Sequence, residues 1–167
     1  MARNFMCTKT DPVVETKAGK LRGFQLDGTY AFHGVKYADA KRFHQPTPVE
    51  PWEGIKNALA YGYVCPMLQQ DQPSNELMVP HRYWPLDENC QYLNIWTQHL
   101  DPNAKKPVLV WLHGGGFAAG SSIEHIAYEG ENMSKYGDVV VISLNHRLNI
   151  LGYLDLSPFG EEYKNSG

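Results

Sequence analysis

"VLVWLHGGGFAAGSS", residues 108–122, joins an apolar run to three consecutive glycines and a phenylalanine. The run, continuous from "KKPVLVWLH", shows no polar alternation, the pattern of a strand covered on both faces in a parallel sheet. Beyond the glycines, "YEGENMSKYG" (128–137) predicts a short helix ending at Gly137, and "DVVVISLNHR" (138–147) a second strand covered on both faces. Strand, glycine-rich turn, helix and strand make the right-handed crossover unit of an α/β fold.

Working outward, "CQYLNIWTQ" (90–98) alternates Tyr92, Asn94 and Trp96 with Leu93, Ile95 and Thr97, as a strand does. "PVVETKAGKLRGFQLDGTYAFHGVKYA" (12–38) also alternates, with turn signals at "AGK" and "LDGT", and predicts an antiparallel meander with one wet face. The proline-rich "KRFHQPTPVEPWEG" (41–54) is loop, residues 65–89 form a long irregular excursion, and "SPFGEEYKNSG" (157–167) is turn material. The 167 residues fit one domain, yet a parallel sheet needs more than two covered strands. Residues 1–167 therefore read as the opening of a single, larger domain.

Composition narrows the function classes. At 43% hydrophobic and 20% charged residues the chain is ordinary for a soluble domain, and 12% aromatics favour a well-packed interior or an apolar ligand site. A net charge of −3 lacks the basic footprint of a nucleic-acid binder. No apolar run approaches a membrane span, and "MARNFMCTKT" lacks the apolar stretch of a signal peptide, so no membrane association and a cytoplasmic location are expected. Cys7, Cys65 and Cys90 have neither ligand spacing nor accompanying histidines, which argues against a metal site. They read as free thiols, or, for Cys65 and Cys90, as the ends of a closed loop worth roughly 3 kcal/mol. Without secretion, the sequon at Asn132 carries little meaning.

Three chemistries compete for the glycine loop. Gly114, Gly116 and Gly120 give G-x-G-x-x-x-G after a strand, a variant of dinucleotide-binding spacing, with Arg147 available for a 2′-phosphate. Against this reading, "FAAGSSIEH" does not enter a helix at once, no acidic residue ends the second strand, and more than a hundred residues precede the motif. A plain tight turn is the second possibility, its glycines only permitting close packing. The third is an oxyanion hole. Backbone N–H donors held about 2.7–3.1 Å from a developing oxyanion lower the barrier by roughly 3 kcal/mol each. An H-G-G-G loop after a central strand is how esterases and lipases build part of that hole. Gly115 and Gly116 then present N–H groups, Gly114 forms the turn, and Phe117 walls the acyl site.

Read together, "DENCQYLNIW" (87–96), "VLVWLHGGGFAAGS" (108–121) and "DVVVISLNHRLNILGYLDLS" (138–157) resemble the type-B carboxylesterase/cholinesterase family, and most of all its bacterial para-nitrobenzyl-esterase branch. "VVETKAGKLRGFQ" (13–25) is similar to the family's opening hairpin, "RFHQPTPVEPWEG" (42–54) to its R-F-x-x-P-x-P-x-x-W segment, and "NHRLNILGYLDL" (145–156) to its N-[YH]-R-[LV] segment. The resemblance spans nearly the whole chain. It implies an α/β-hydrolase with antiparallel opening strands leading into a mostly parallel central sheet, a Ser-Glu/Asp-His triad acting on esters, and no cofactor. It places oxyanion donors on Gly115 and Gly116, a frequent disulfide at Cys65 and Cys90, a salt bridge beneath the active-site rim at Arg42 and Glu88, and a structural arginine at Arg147.

The chain departs from that pattern in places. The usual E-D-C-L-Y-L-N is here E-N-C-Q-Y-L-N, and "KYADAKRF" (36–43) is shorter than the common segment, which leaves the first active-site loop and substrate size undefined. No G-x-S-x-G occurs; "GSSIE" (120–124) lacks both the second glycine and the preceding strand. Ser121, Ser122, Ser143 and Ser166 are poor nucleophile candidates, and His113 and His146 read as orienting or packed residues rather than the general base. The triad runs Ser, acid, His after the oxyanion loop in this fold, so all three members are expected beyond Gly167. The partners implied are a complementary C-terminal chain carrying the serine and a small-molecule ester. Alone, residues 1–167 would leave the 108–112 strand with an open edge and are expected to be poorly soluble. The competing class is a non-catalytic cholinesterase-like binding or adhesion module, which has no need of bare N–H donors.

Overall fold

The computed structural model describes residues 2–67 and 82–164. In chain order the strands are β1 (Phe5–Met6), β2 (Val13–Glu15), β3 (Lys20–Arg22), β4 (Phe24–Leu26), β5 (Thr29–Lys36), β6 (Ile55–Asn57), β7 (Tyr92–Thr97), β8 (Val108–Leu112) and β9 (Val140–Leu144). Two short α-helices, α1 (Glu131–Gly137) and α2 (Asn149–Tyr153), flank β9. Six strands form one mixed sheet in the order β1-β4-β5-β7-β9-β8, and β2-β3-β6 form a second. The first four strands of the larger sheet pair antiparallel and β7 pairs antiparallel with β9, whereas β8 and β9 run parallel from Val108↔Val140 to Leu112↔Leu144. This is the expected crossover, and α1 ends at Gly137 as the sequence predicts.

The opening segment is not one meander. The β2–β3 hairpin belongs to the small sheet and the β4–β5 hairpin to the large one. The chain changes sheets at Gly23, where a Cβ would stand 2.3 Å from the Ala31 carbonyl and 2.7 Å from the Phe32 ring. Only glycine lets the two hairpins cross that closely. Successive residues of β5 then serve opposite faces. Ala31 joins Phe24, Trp96 and Val141, and Phe32 joins Leu21 and Ala58.

A second correction concerns β8. All five of its residues are exposed, from 36% at Leu109 to 64% at Leu112, rather than covered on both faces. The strand is the outermost of its sheet, and α1 packs over β5, β7 and β9 instead. The inner strand β9 buries Val141 and Ser143, while Val140, Ile142 and Leu144 are half-buried.

His33 sits where the β5–β7 register shifts, between Phe32 and Val35. Its ring stacks on Tyr61 at 4.4 Å and meets Phe24 at 5.0 Å and Trp96 at 5.3 Å edge-on. Its buried Nε2 has no hydrogen-bond partner among the described residues. Burial pushes its pKa down to about 4, opposed by nearby Glu129 and assisted by Arg82. Because the folded value lies below the ordinary 6.5, this contribution to stability is complete above pH 6.5 and is lost as pH falls toward 4. His33→Phe keeps a ring and removes the titration. Between those limits the wild type should lose on the order of 3 kcal/mol relative to the variant in urea denaturation. Parallel pH profiles would refute this account.

Candidate active site

The glycine loop leaves the end of β8 in a run of left-handed backbone: Gly115 has φ 117°, Gly116 61° and Phe117 62°. The left-handed run starts one residue after the turn expected at Gly114, whose carbonyl instead lies 2.7 Å from His113 Nδ1. Gly115 O accepts from Ala118 N at 3.1 Å and Ala119 N at 3.2 Å, closing a tight turn. Left-handed φ is a genuine departure for a bulky residue such as Phe117 and marks a conformation imposed by its surroundings. Its ring is 66% exposed and touches Tyr153 at 5.0 Å. Gly114, Gly115 and Gly116 are exposed as well, and among the described residues no acceptor meets the N–H of Gly115 or Gly116. The loop thus presents two adjacent, unengaged backbone donors next to an exposed aromatic ring.

The serines behind the loop are occupied otherwise. Asn94, buried in the middle of β7, donates through Nδ2 to Ser122 Oγ at 3.2 Å and to Ser143 Oγ at 3.3 Å, and its Oδ1 accepts from Gly34 N at 3.0 Å. Ser121 Oγ accepts from Ile123 N at 3.4 Å. All three serines are buried, and among the described residues none bonds to a histidine. None is poised for nucleophilic attack. Ser166 lies outside the described residues. His113 and His146 stack face to face at 4.8 Å, an orienting arrangement rather than a serine–histidine pair. Burial holds the His113 pKa below its ordinary value, which keeps the ring neutral.

The other singled-out residues make different contacts. Arg42 grips Glu88 through two guanidinium nitrogens, with Nε 2.7 Å from Oε2, and holds that carboxyl below its usual range. The arginine is 63% exposed, so the pair is a surface contact and not a buried one. Arg147 is buried and donates to the carbonyls of His44, at 3.0 Å, and Lys41, tying the 41–44 loop to the end of β9. Cys65 and Cys90 are free thiols buried in one cluster with Leu148. The two neighbouring thiols perturb each other, which pushes the Cys90 thiol up and holds Cys65 down, and Leu148 N donates to the Cys65 sulfur at 3.1 Å. Among the described residues no cluster of side chains could hold a metal ion.

Sequence reasoning did not single out Asn94, Asn145 or Asn149, nor helix α2. One signal for Asn94 was available: a polar amide inside the otherwise strand-forming "YLNIW" must find buried partners.

A family model described as "Carboxylesterase family" matches residues 10–167. The para-nitrobenzyl esterase of Bacillus subtilis (strain 168) is 36% identical over 162 residues, covering 94% of this chain and 32% of its own length. The phenmedipham hydrolase of Pseudarthrobacter oxydans is 40% identical, covering 87% and 30% respectively. Among solved structures, an esterase from Clostridium hathewayi, described as able to hydrolyze aliphatic aromatic polyesters, shares 65% identity with a TM-score of 0.94 over 99% of this chain and 33% of its own. The chain therefore spans about a third of the length of the relatives it matches. With its mixed sheet, H-G-G-G loop and near-complete family match, this chain is part of an α/β-hydrolase and belongs to the carboxylesterase family.

Proposed function

We propose that this chain supplies two oxyanion-hole donors, the N–H groups of Gly115 and Gly116, to a serine carboxylic-ester hydrolase. The observation that carries the reading is the exposed left-handed loop whose two N–H groups have no acceptor among the described residues. In the reaction a serine Oγ adds to the ester carbonyl as its proton passes to a histidine, and the carbonyl oxygen becomes the oxyanion held by the two donors. Collapse expels the alcohol, which takes up the proton, and water then releases the acid from the acyl-enzyme. The serine, its histidine and the acid lie outside these 167 residues, on a complementary C-terminal part whose first new strand pairs along the open edge of β8. Phe117 walls the acyl site.

For the substrate class we take aliphatic aromatic polyesters, a reading supported by the 65% identical Clostridium hathewayi esterase, described as able to hydrolyze them. No helix among the described residues is long and apolar enough to cross a membrane. A cytoplasmic setting, where the three thiols stay reduced, goes with this reading.

The test pairs these residues with the segment bearing the serine. Turnover of a short-chain p-nitrophenyl ester, abolished by a fluorophosphonate that labels one serine outside residues 1–167, is the expected result. A folded assembly with neither turnover nor labelling would make the chain part of a binding protein.

A further inference from the structure

One short stretch of chain grips the glycine loop at its start, middle and end. The stretch is residues 145–153, the segment that follows β9 together with helix α2. At the loop's start, the His146 ring stacks on His113 with a 12° interplanar angle. At its middle, Asn149 N donates to Phe117 O at 2.7 Å, and the Tyr153 ring lies against the Phe117 ring. At its end, Asn145 Oδ1 accepts from Ser122 N at 2.8 Å. The two donor N–H groups lie between the first and second of these points.

The stretch is itself anchored. Asn145 is buried, its Nδ2 donating to Tyr63 O at 3.1 Å and its carbonyl accepting from Tyr37 OH at 2.9 Å. Asn149 reaches Pro66 O through Nδ2 at 2.9 Å and takes a left-handed φ of 51°, which asparagine tolerates better than most residues. His146 is fixed by Nδ1, 2.9 Å from Arg147 O and 3.4 Å from the Tyr153 hydroxyl.

Such support has a physical purpose. Glycine samples left- and right-handed backbone with similar ease, so a run of glycines has no intrinsic preference for the observed geometry. An oxyanion donor is useful only when held within about 0.5 Å of its working position. Something outside the loop must supply that order. We propose that residues 145–153 clamp the glycine loop in its donor geometry, and that His146, through its stack on His113, is a positioning residue for ester hydrolysis. The proposal rests on the esterase reading above.

The test compares His146→Ala and His146→Phe with the wild type in the complete esterase. Active sites are counted by fluorophosphonate titration, so misfolded molecules do not enter the rate. His146→Ala should lower kcat about tenfold or more with KM within about twofold. Affinity for a trifluoromethyl ketone, whose adduct carries the oxyanion, should fall by the same factor as kcat. His146→Phe, which keeps a flat ring against His113, should restore most of both. A kcat per titrated site unchanged in His146→Ala, or a fall in kcat with unaltered ketone affinity, would overturn the clamp. A wild type that turns over no ester would instead sink the esterase reading itself, so the two failures are distinguishable.

Discussion

Gly115→Ala should lower kcat per titrated site by about 10²–10³-fold in the complete esterase, the loss typical of removing one oxyanion donor. A Cβ on Gly115 would stand 2.0 Å from the Ala119 carbonyl oxygen and 2.6 Å from its carbon. Both are backbone atoms of the same tight turn, so neither can rotate aside. The φ of 117° adds strain for any L side chain. The loop must therefore open, and the Gly115 and Gly116 N–H groups move with it. Gly28→Ala separates strain from catalysis. Gly28 has φ 88° with nothing within 4 Å of a Cβ, in the β4–β5 hairpin turn, and β7 and β9 lie between that hairpin and β8 in the sheet. That variant should lose about 1–2 kcal/mol of stability while keeping its kcat. Equal kcat for Gly115→Ala and the wild type would remove the loop from the chemistry and return it to a tight turn.

Expressed alone, residues 1–167 should partition into the insoluble fraction. Co-expressed with the segment that carries the serine, they should be recovered soluble. The cause is β8. Val108, Val110 and Leu112 are 58%, 52% and 64% exposed, Leu109 and Trp111 are exposed on the opposite face, and one edge of the strand is unpaired. A flat, apolar, unpaired strand is a template for further pairing, and aggregation is its usual outcome. A charge on such an edge blunts it. Val110→Lys should therefore raise the soluble yield of the isolated chain and lower assembly with the complementary segment. A soluble wild-type chain with a cooperative melt would contradict the proposal that another strand completes this sheet.

Some of this was legible in local spacing. The Asp27-Gly28 turn, the alternation of β7, the helix stop at Gly137 and the apolar runs of β8 and β9 each depend on residues within a few positions of one another. The glycine loop was legible for the same reason, since glycine tolerates left-handed backbone and leaves its N–H uncovered by a side chain. What misled was the step from pattern to cover. The uniform apolarity of 108–112 shows that both faces of β8 suit burial, but not whether anything covers them.

By itself the sequence determined strands β7 to β9, helix α1, the family and the loop that carries the candidate chemistry, because each is encoded by residue types at short spacing. Only the tertiary structure decided how the loop is held. Asn94 reaches Ser122 across 28 residues and Asn145 reaches Tyr63 across 82. His113 and His146 meet as rings from the ends of two parallel strands. The sheet change at Gly23 and the aromatic enclosure of His33 belong to the same class. Contacts of this kind form when distant segments pack, and no local periodicity specifies which polar group will find which partner.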